Sequence, residues 1–112
     1  MSNLTPAEVI RTLSTISLEI DELTVELTRL DEAAVRARQE YKVAYARAFL
    51  TAEGAMDIRR YTADGECADL QLASEIADQQ HRAAVTQLRA LRDRLEVGRS
   101  LSALMRLEWG QA

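Results

Sequence analysis

Turn material is scarce in this sequence. One Pro and four Gly are spread over 112 residues, too few to punctuate the many short strands of a β-sandwich or barrel. A single Cys, Cys67, leaves no partner for an intramolecular disulfide, so a reducing compartment is the simpler expectation. Cys67 and His81 are each alone in their kind. No Cys/His metal cluster, Cys–His pair or Ser–His–Asp set forms in one chain without those single residues. In one heptad register His81 falls on an apolar stripe, where a seam histidine is the plainer reading. Neither a P-loop nor a GxGxxG stretch is present. Glu19, Glu22 and Glu26 stand at helical spacing, but nothing marks a pocket around them, and they read as a solvated outer face. The expectation is therefore no catalytic residue, no metal, no cofactor and no small-molecule substrate: not an enzyme. Charges interrupt every apolar run well short of the ~18 residues of a membrane span. The segment Met1-Ser2-Asn3-Leu4-Thr5-Pro6 lacks the basic and apolar regions of a signal peptide. A cytoplasmic protein with no membrane partner is the expectation.

What the sequence does contain is helical periodicity. Thr5-Pro6-Ala7-Glu8 is a capping box, with Thr5 at N-cap, Pro6 at N1 and Glu8 at N3 reaching back. From Val9 an apolar seam advances in alternating steps of four and three: Val9, Leu13, Ile16, Ile20, Leu23, Leu27, Leu30, Ala34, Ala37, Tyr41, Ala44, Ala48, Thr51. Six heptads of this pattern predict one long coiled-coil helix over 6–53. Gly54 suits its C-terminal cap and Asp64-Gly65 marks a second break, leaving 54–65 as a connector with room for a short helical turn. A second long helix is expected over 66–108. Its stripe (Leu70, Ala73, Ala77, Ala84, Leu88, Leu91, Leu95, Leu101, Leu104, Met105) slips in phase near Gly98.

Side-chain size then selects an arrangement. The first seam is bulky up to Leu30 and Ala-rich beyond it, whereas the second is Ala-rich up to Ala84 and bulky from Leu88. Folding back near residue 59 sets large beside large, with Leu30 beside Leu88 and Leu13 beside Met105. The predicted fold is all-α: one domain over 1–112, an antiparallel, coiled-coil-like hairpin. A core one helix pair thick is small, so the hairpin is expected to assemble into a homo-oligomer.

Charge is banded along the chain. The net charge is −4, but residues 1–35 sum to about −5, 36–65 to about +2, 66–81 to about −4 and 82–112 to about +3. Of the cations all but Lys42 are Arg, whose planar fork suits phosphate and whose face stacks on bases. In the stretch from Val35 to Phe49, Tyr41, Tyr45 and Phe49 recur every four residues among Arg36, Arg38, Lys42 and Arg47. Arg59 and Arg60 follow near the turn. Rings beside guanidinium groups are what single-stranded nucleic acid needs, because bases stack on the rings while cations hold phosphates. The same spacing also suits rings that close the core near the turn.

Val35-Arg36-Ala37-Arg38-Gln39-Glu40-Tyr41 resembles the basic segment of phage recombination mediators of the UvsY type, in which apolar, basic, Ala, Arg, any, acidic and Tyr follow one another on a helix. Met56-Asp57-Ile58-Arg59-Arg60 is similar to a stretch further along those chains. The resemblance implies a homo-oligomeric protein that binds single-stranded DNA and helps load a recombinase. Arg36 and Arg38 are the carried-over DNA contacts, with Tyr41, Lys42, Tyr45, Arg47, Arg59 and Arg60 completing the expected surface. This chain departs from that pattern in its strongly heptad-patterned, acidic first helix and in having one Lys. The rival reading is a coiled-coil protein-binding module, an assembly accessory or an inhibitor of another protein. Ile10, Leu18 and Val25, which lie off the seam, would then form the contact surface with a partner or with a second copy.

Overall fold

A computed structural model describes residues 5–110, apart from the side chains of Trp109 and Gly110; residues 1–4 and 111–112 lie outside it. The described residues form three helices, α1 (Pro6–Thr51), α2 (Met56–Glu66) and α3 (Ala68–Gly110), and no strand. The chain is all-α, and among the described residues no helix is long and apolar enough to cross a membrane.

The start of α1 is the expected capping box. The Thr5 N–H donates to Glu8 Oε2 at 3.0 Å and the Glu8 N–H donates to Thr5 Oγ1 at 3.2 Å, so two of the donors a helix leaves unpaired at its start are satisfied reciprocally. At the other end the Thr51 hydroxyl donates to the Arg47 carbonyl at 2.8 Å. The helix stops two residues before the expected boundary. Gly54 then adopts φ 109°, a conformation that L side chains avoid and glycine accepts without cost.

The link is shorter than 54–65, because most of that stretch is α2. Asp64-Gly65 does not break the chain: both residues lie inside α2. The irregularity falls at Cys67 (φ −104°, ψ 8°). Even there the hydrogen-bond ladder continues, with the Cys67 N–H on the Ala63 carbonyl at 3.0 Å and the Gln71 N–H on the Cys67 carbonyl at 2.9 Å. A glycine can sit in a helix at a modest cost of about 1 kcal/mol, and here continuity with α3 outweighs it.

Every expected seam residue of α1 from Val9 to Ala48 is buried or half-buried, while Thr51 is exposed. The covered positions of α3 differ from expectation. Leu70, Ser74, Ala77, His81, Ala84, Leu88, Leu91, Leu95, Gly98, Ser102 and Met105 form an unbroken three–four alternation, with Asp78 and Val85 half-buried beside it and Ala73, Leu101 and Leu104 exposed. No phase slip occurs at Gly98. Two serines, a histidine and a glycine occupy seam positions, so a stripe traced by hydrophobicity alone jumped to the adjacent leucines.

Contacts gather the chain into two units, one of Leu27–Ala83 and one of the chain up to Glu26 with the chain from Ala84 onward. In the second unit Val9, Ile16, Leu88 and Leu91 are buried. Gly98 lets α3 approach α1 closely, since a methyl group there would collide with Leu13 Cδ2. Leu13 thus faces Gly98, one heptad from the expected Met105, and Met105 instead shares a shallow hollow with Pro6, Val9 and Ile10. The displacement follows from the link: with only residues 52–55 and Cys67 outside the helices between Pro6 and Gly110, the second seam meets the first several residues earlier.

In the unit of Leu27–Ala83, Ala48, Ala63 and Cys67 form a small buried cluster, with Tyr41, Ala44, Tyr45 and Phe49 packed against it. Polar links join α1 to α3 here. Arg38 Nη2 lies 2.8 Å from Asp78 Oδ1, and His81 Nε2 lies 3.8 Å from Asp31 Oδ1.

Candidate nucleic-acid interface

The Arg/Tyr stretch lies wholly on α1, and helical geometry divides its residues between two flanks. Residues two apart on a helix face different directions, while those three or four apart are neighbours. Arg38, Lys42, Tyr45 and Phe49 follow at steps of four, three and four along one flank. Arg36, Glu40, Val43 and Arg47 follow the same steps along the other. Arg36, Gln39, Glu40, Val43, Ala44 and Arg47 line one shallow hollow, and Tyr45, Ala46, Phe49, Leu50 and Arg60 line a second. The structure therefore brings Tyr45 together with Arg60, and Arg36 with Arg47, but it does not bring Arg36 and Arg38 to one surface.

The aromatic residues pack against the core and remain partly open. Tyr41 and Tyr45 meet edge to face, centroids 6.1 Å apart and rings at 71°, a favoured geometry for aromatic pairs. Both pack with Phe49 on the Ala48–Ala63–Cys67 cluster, and each keeps part of its surface open. Tyr41 sits in the seam, and burial, with the Asp64 carboxylate and Tyr45 adding to it, pushes its hydroxyl above the ordinary phenol range. Tyr61 is 77% exposed and lies outside the cluster.

The cations differ in how they are already engaged. Arg36 Nη2 is 2.9 Å from Glu32 Oε1 one turn back; that hydrogen bond and charge raise its pKa further, so it is a guanidinium at any ordinary pH. Arg38 is held by Asp78. The Arg59 Nε–H donates to the Gly54 carbonyl at 3.0 Å, closing the turn between α1 and α2. For Lys42, Arg47 and Arg60 no carboxylate lies within ion-pair distance among the described residues. The same holds for Arg59, but its guanidinium is engaged by the Gly54 carbonyl, which leaves Lys42, Arg47 and Arg60 as the cations of this stretch without a side-chain partner at close range among the described residues. Leu50, which the motif did not single out, completes the hollow beside Tyr45 and Arg60. Its signal in the sequence was an apolar residue off the seam, and it is 76% exposed.

Of the residues expected to contact protein, Ile10, Leu18 and Val25 are 60%, 59% and 74% exposed. Ile10 and Leu18 line a shallow hollow with Leu13, Asp21, Leu95 and Arg99; Val25 is not part of it. Among the described residues no three His, Cys, Asp or Glu side chains converge in a way that could hold a metal ion. Comparison of the chain with protein-family models, with curated proteins and with solved structures gives no match.

Proposed function

We propose that the protein is a non-enzymatic, homo-oligomeric helical hairpin that binds single-stranded DNA around residues 36–60 and acts as a recombination accessory, helping to load a recombinase. In the hairpin α1 and α3 run antiparallel. The pairings Leu13 with Gly98, Asp31 with His81 and Arg38 with Asp78, in which α3 numbers fall as α1 numbers rise, support that direction. The observation that carries the DNA reading is Arg60, a cation without a carboxylate partner in the hollow that holds the open edges of Tyr45 and Phe49, with the likewise unpaired Lys42 on the same flank of α1. An exposed ring next to a free guanidinium offers a base a stacking platform and its phosphate a counterion. Arg36 and Arg38 contribute less on this reading, because each must leave a carboxylate to reach a phosphate.

Fluorescence anisotropy of a labelled oligo-dT against the full chain tests this. Two phosphate contacts give a log–log salt slope of about −1.4, and Lys42→Ala/Arg60→Ala should bring it close to zero. Arg36→Ala/Arg38→Ala should have a smaller effect. An assembled, helical protein showing no salt-sensitive binding would sink the DNA reading.

The exposed Ile10, Leu18 and Val25 favour a second reading, a coiled-coil protein-binding module for phage assembly or for inhibition of a host protein. Single apolar residues on a surface are common, but three along one helix are what a partner helix would cover. On that reading DNA is ignored, and Leu18→Glu abolishes capture of the partner while leaving the helix content unchanged.

A further inference from the structure

Arg38 heads the flank of α1 that continues through Lys42, Tyr45 and Phe49, yet it is the cation of that flank already engaged. Its Nη2 meets Asp78 Oδ1 of α3 at 2.8 Å, and both residues belong to the unit of Leu27–Ala83. The two side chains are 47% and 38% exposed, so the pair sits at the rim of the seam, open to a solute. Arg36 makes the same kind of pair on the opposite flank, with Glu32 one turn back on its own helix. The two pairs differ in consequence. Parting Arg36 from Glu32 frees a cation on the side of α1 away from Tyr45. Parting Arg38 from Asp78 adds a third cation to the flank that carries Lys42 and leads to the hollow of Tyr45, Phe49 and Arg60.

We infer that Asp78 is a built-in competitor for phosphate: its carboxylate occupies Arg38 and so limits how tightly the surface around residues 36–60 holds single-stranded DNA. The inference rests on the DNA reading above and names what regulates that site. Chemistry gives the first argument. A carboxylate and a phosphate offer a guanidinium fork the same kind of acceptor oxygens, so one excludes the other. Exposure gives the second. An ion pair this open to water contributes little to stability, and a phosphate can take the place of Asp78 while the buried cluster below stays intact. Linkage gives the third. Whatever free energy holds Arg38 on Asp78 is subtracted from DNA binding, and by reciprocity bound DNA loosens this link between α1 and α3. The exchange also hides Arg38 from the salt dependence. A counterion leaves the phosphate when Arg38 reaches it, but the released carboxylate takes one up.

Anisotropy of labelled oligo-dT with the full chain, at salt from about 50 to about 200 mM and with circular dichroism alongside, tests the competitor. Asp78→Asn should bind about 5-fold more tightly at the low end, and its log–log slope should steepen from about −1.4 to about −2.1, one further contact. Two controls separate release of Arg38 from mere loss of a negative charge. Glu32→Gln removes the same charge on the other flank and should leave the slope as it was. Adding Asp78→Asn to Arg38→Ala should leave the slope unchanged and raise affinity no more than Glu32→Gln does, since the cation to be released is gone. Should Asp78→Asn lose helix, Asp78→Ser carries the same expected steepening. A helical Asp78 variant with the slope of the unmodified chain, or a steepening that survives Arg38→Ala, overturns the competitor and leaves the DNA reading standing. Absence of binding by the unmodified chain and by every variant removes the DNA reading, and the competitor with it.

Discussion

Tyr41 shows how one side chain closes a core and still keeps part of its surface open. Its ring fills a seam position beside Tyr45, and its hydroxyl is held neutral by burial and by the Asp64 carboxylate. A group whose folded pKa lies above its unfolded value favours the folded state fully below the unfolded pKa, and loses that contribution as pH rises through the folded one. Stability should therefore decline above about pH 10, the ordinary phenol value. In an alkaline titration followed by phenolate absorbance, the last component to appear should vanish in Tyr41→Phe. If the late component persists in that variant, it belongs to another tyrosine and Tyr41 is not the phenol that burial holds neutral. Arg36 and Arg38 teach a related point. The motif was legible as residue types, but the carboxylates Glu32 and Asp78 that occupy them were not, because one partner lies a turn away and the other lies forty residues on.

The first helix was legible at its start and along its seam. The capping box and the thirteen-residue alternation of α1 are local patterns, and local patterns are what a chain can announce by itself. Asp64-Gly65 misled because a glycine signals permission to turn, not an obligation. The two glycines of this region consequently respond in opposite ways to the same substitution. A side chain added at Gly65 meets nothing within 4 Å, so Gly65→Ala should raise stability by about 0.5–1 kcal/mol through helix propensity alone. Gly54 has φ 109°, and Gly54→Ala should lower stability by about 1–2 kcal/mol. Thermal melts of both variants read the pair together. Equal shifts of one sign would mean that the link between α1 and α2 is not where the structure places it.

At the scale of the whole molecule, burial is thin. The largest buried residues are leucines and isoleucines, such as Leu88, Leu91 and Ile16, and much of the rest of the core is alanine. Fully burying one Leu or Ile contributes about 1.5–3 kcal/mol, and a chain with so few of them gains from covering more surface. Folding linked to assembly makes the melting temperature depend on concentration. A 100-fold rise in protein should raise it by about 5 °C, given the entropy of unfolding of a domain this size. A melting temperature independent of concentration would mean that the single chain is self-sufficient.

By itself the sequence determined the helical class, the cap of α1 and its buried face, since each depends on residues within a turn or two of one another. Only the tertiary structure decided which residues of α3 face inward. Ser74, His81, Gly98 and Ser102 hold seam positions that their hydropathy does not advertise, and Gly98 does so because Leu13 needs the space a side chain would take. Burial is a property of what stands opposite. A serine or glycine facing a large apolar residue completes a seam as well as a leucine does. The leucines it displaces, Leu101 and Leu104, are thereby left on the surface.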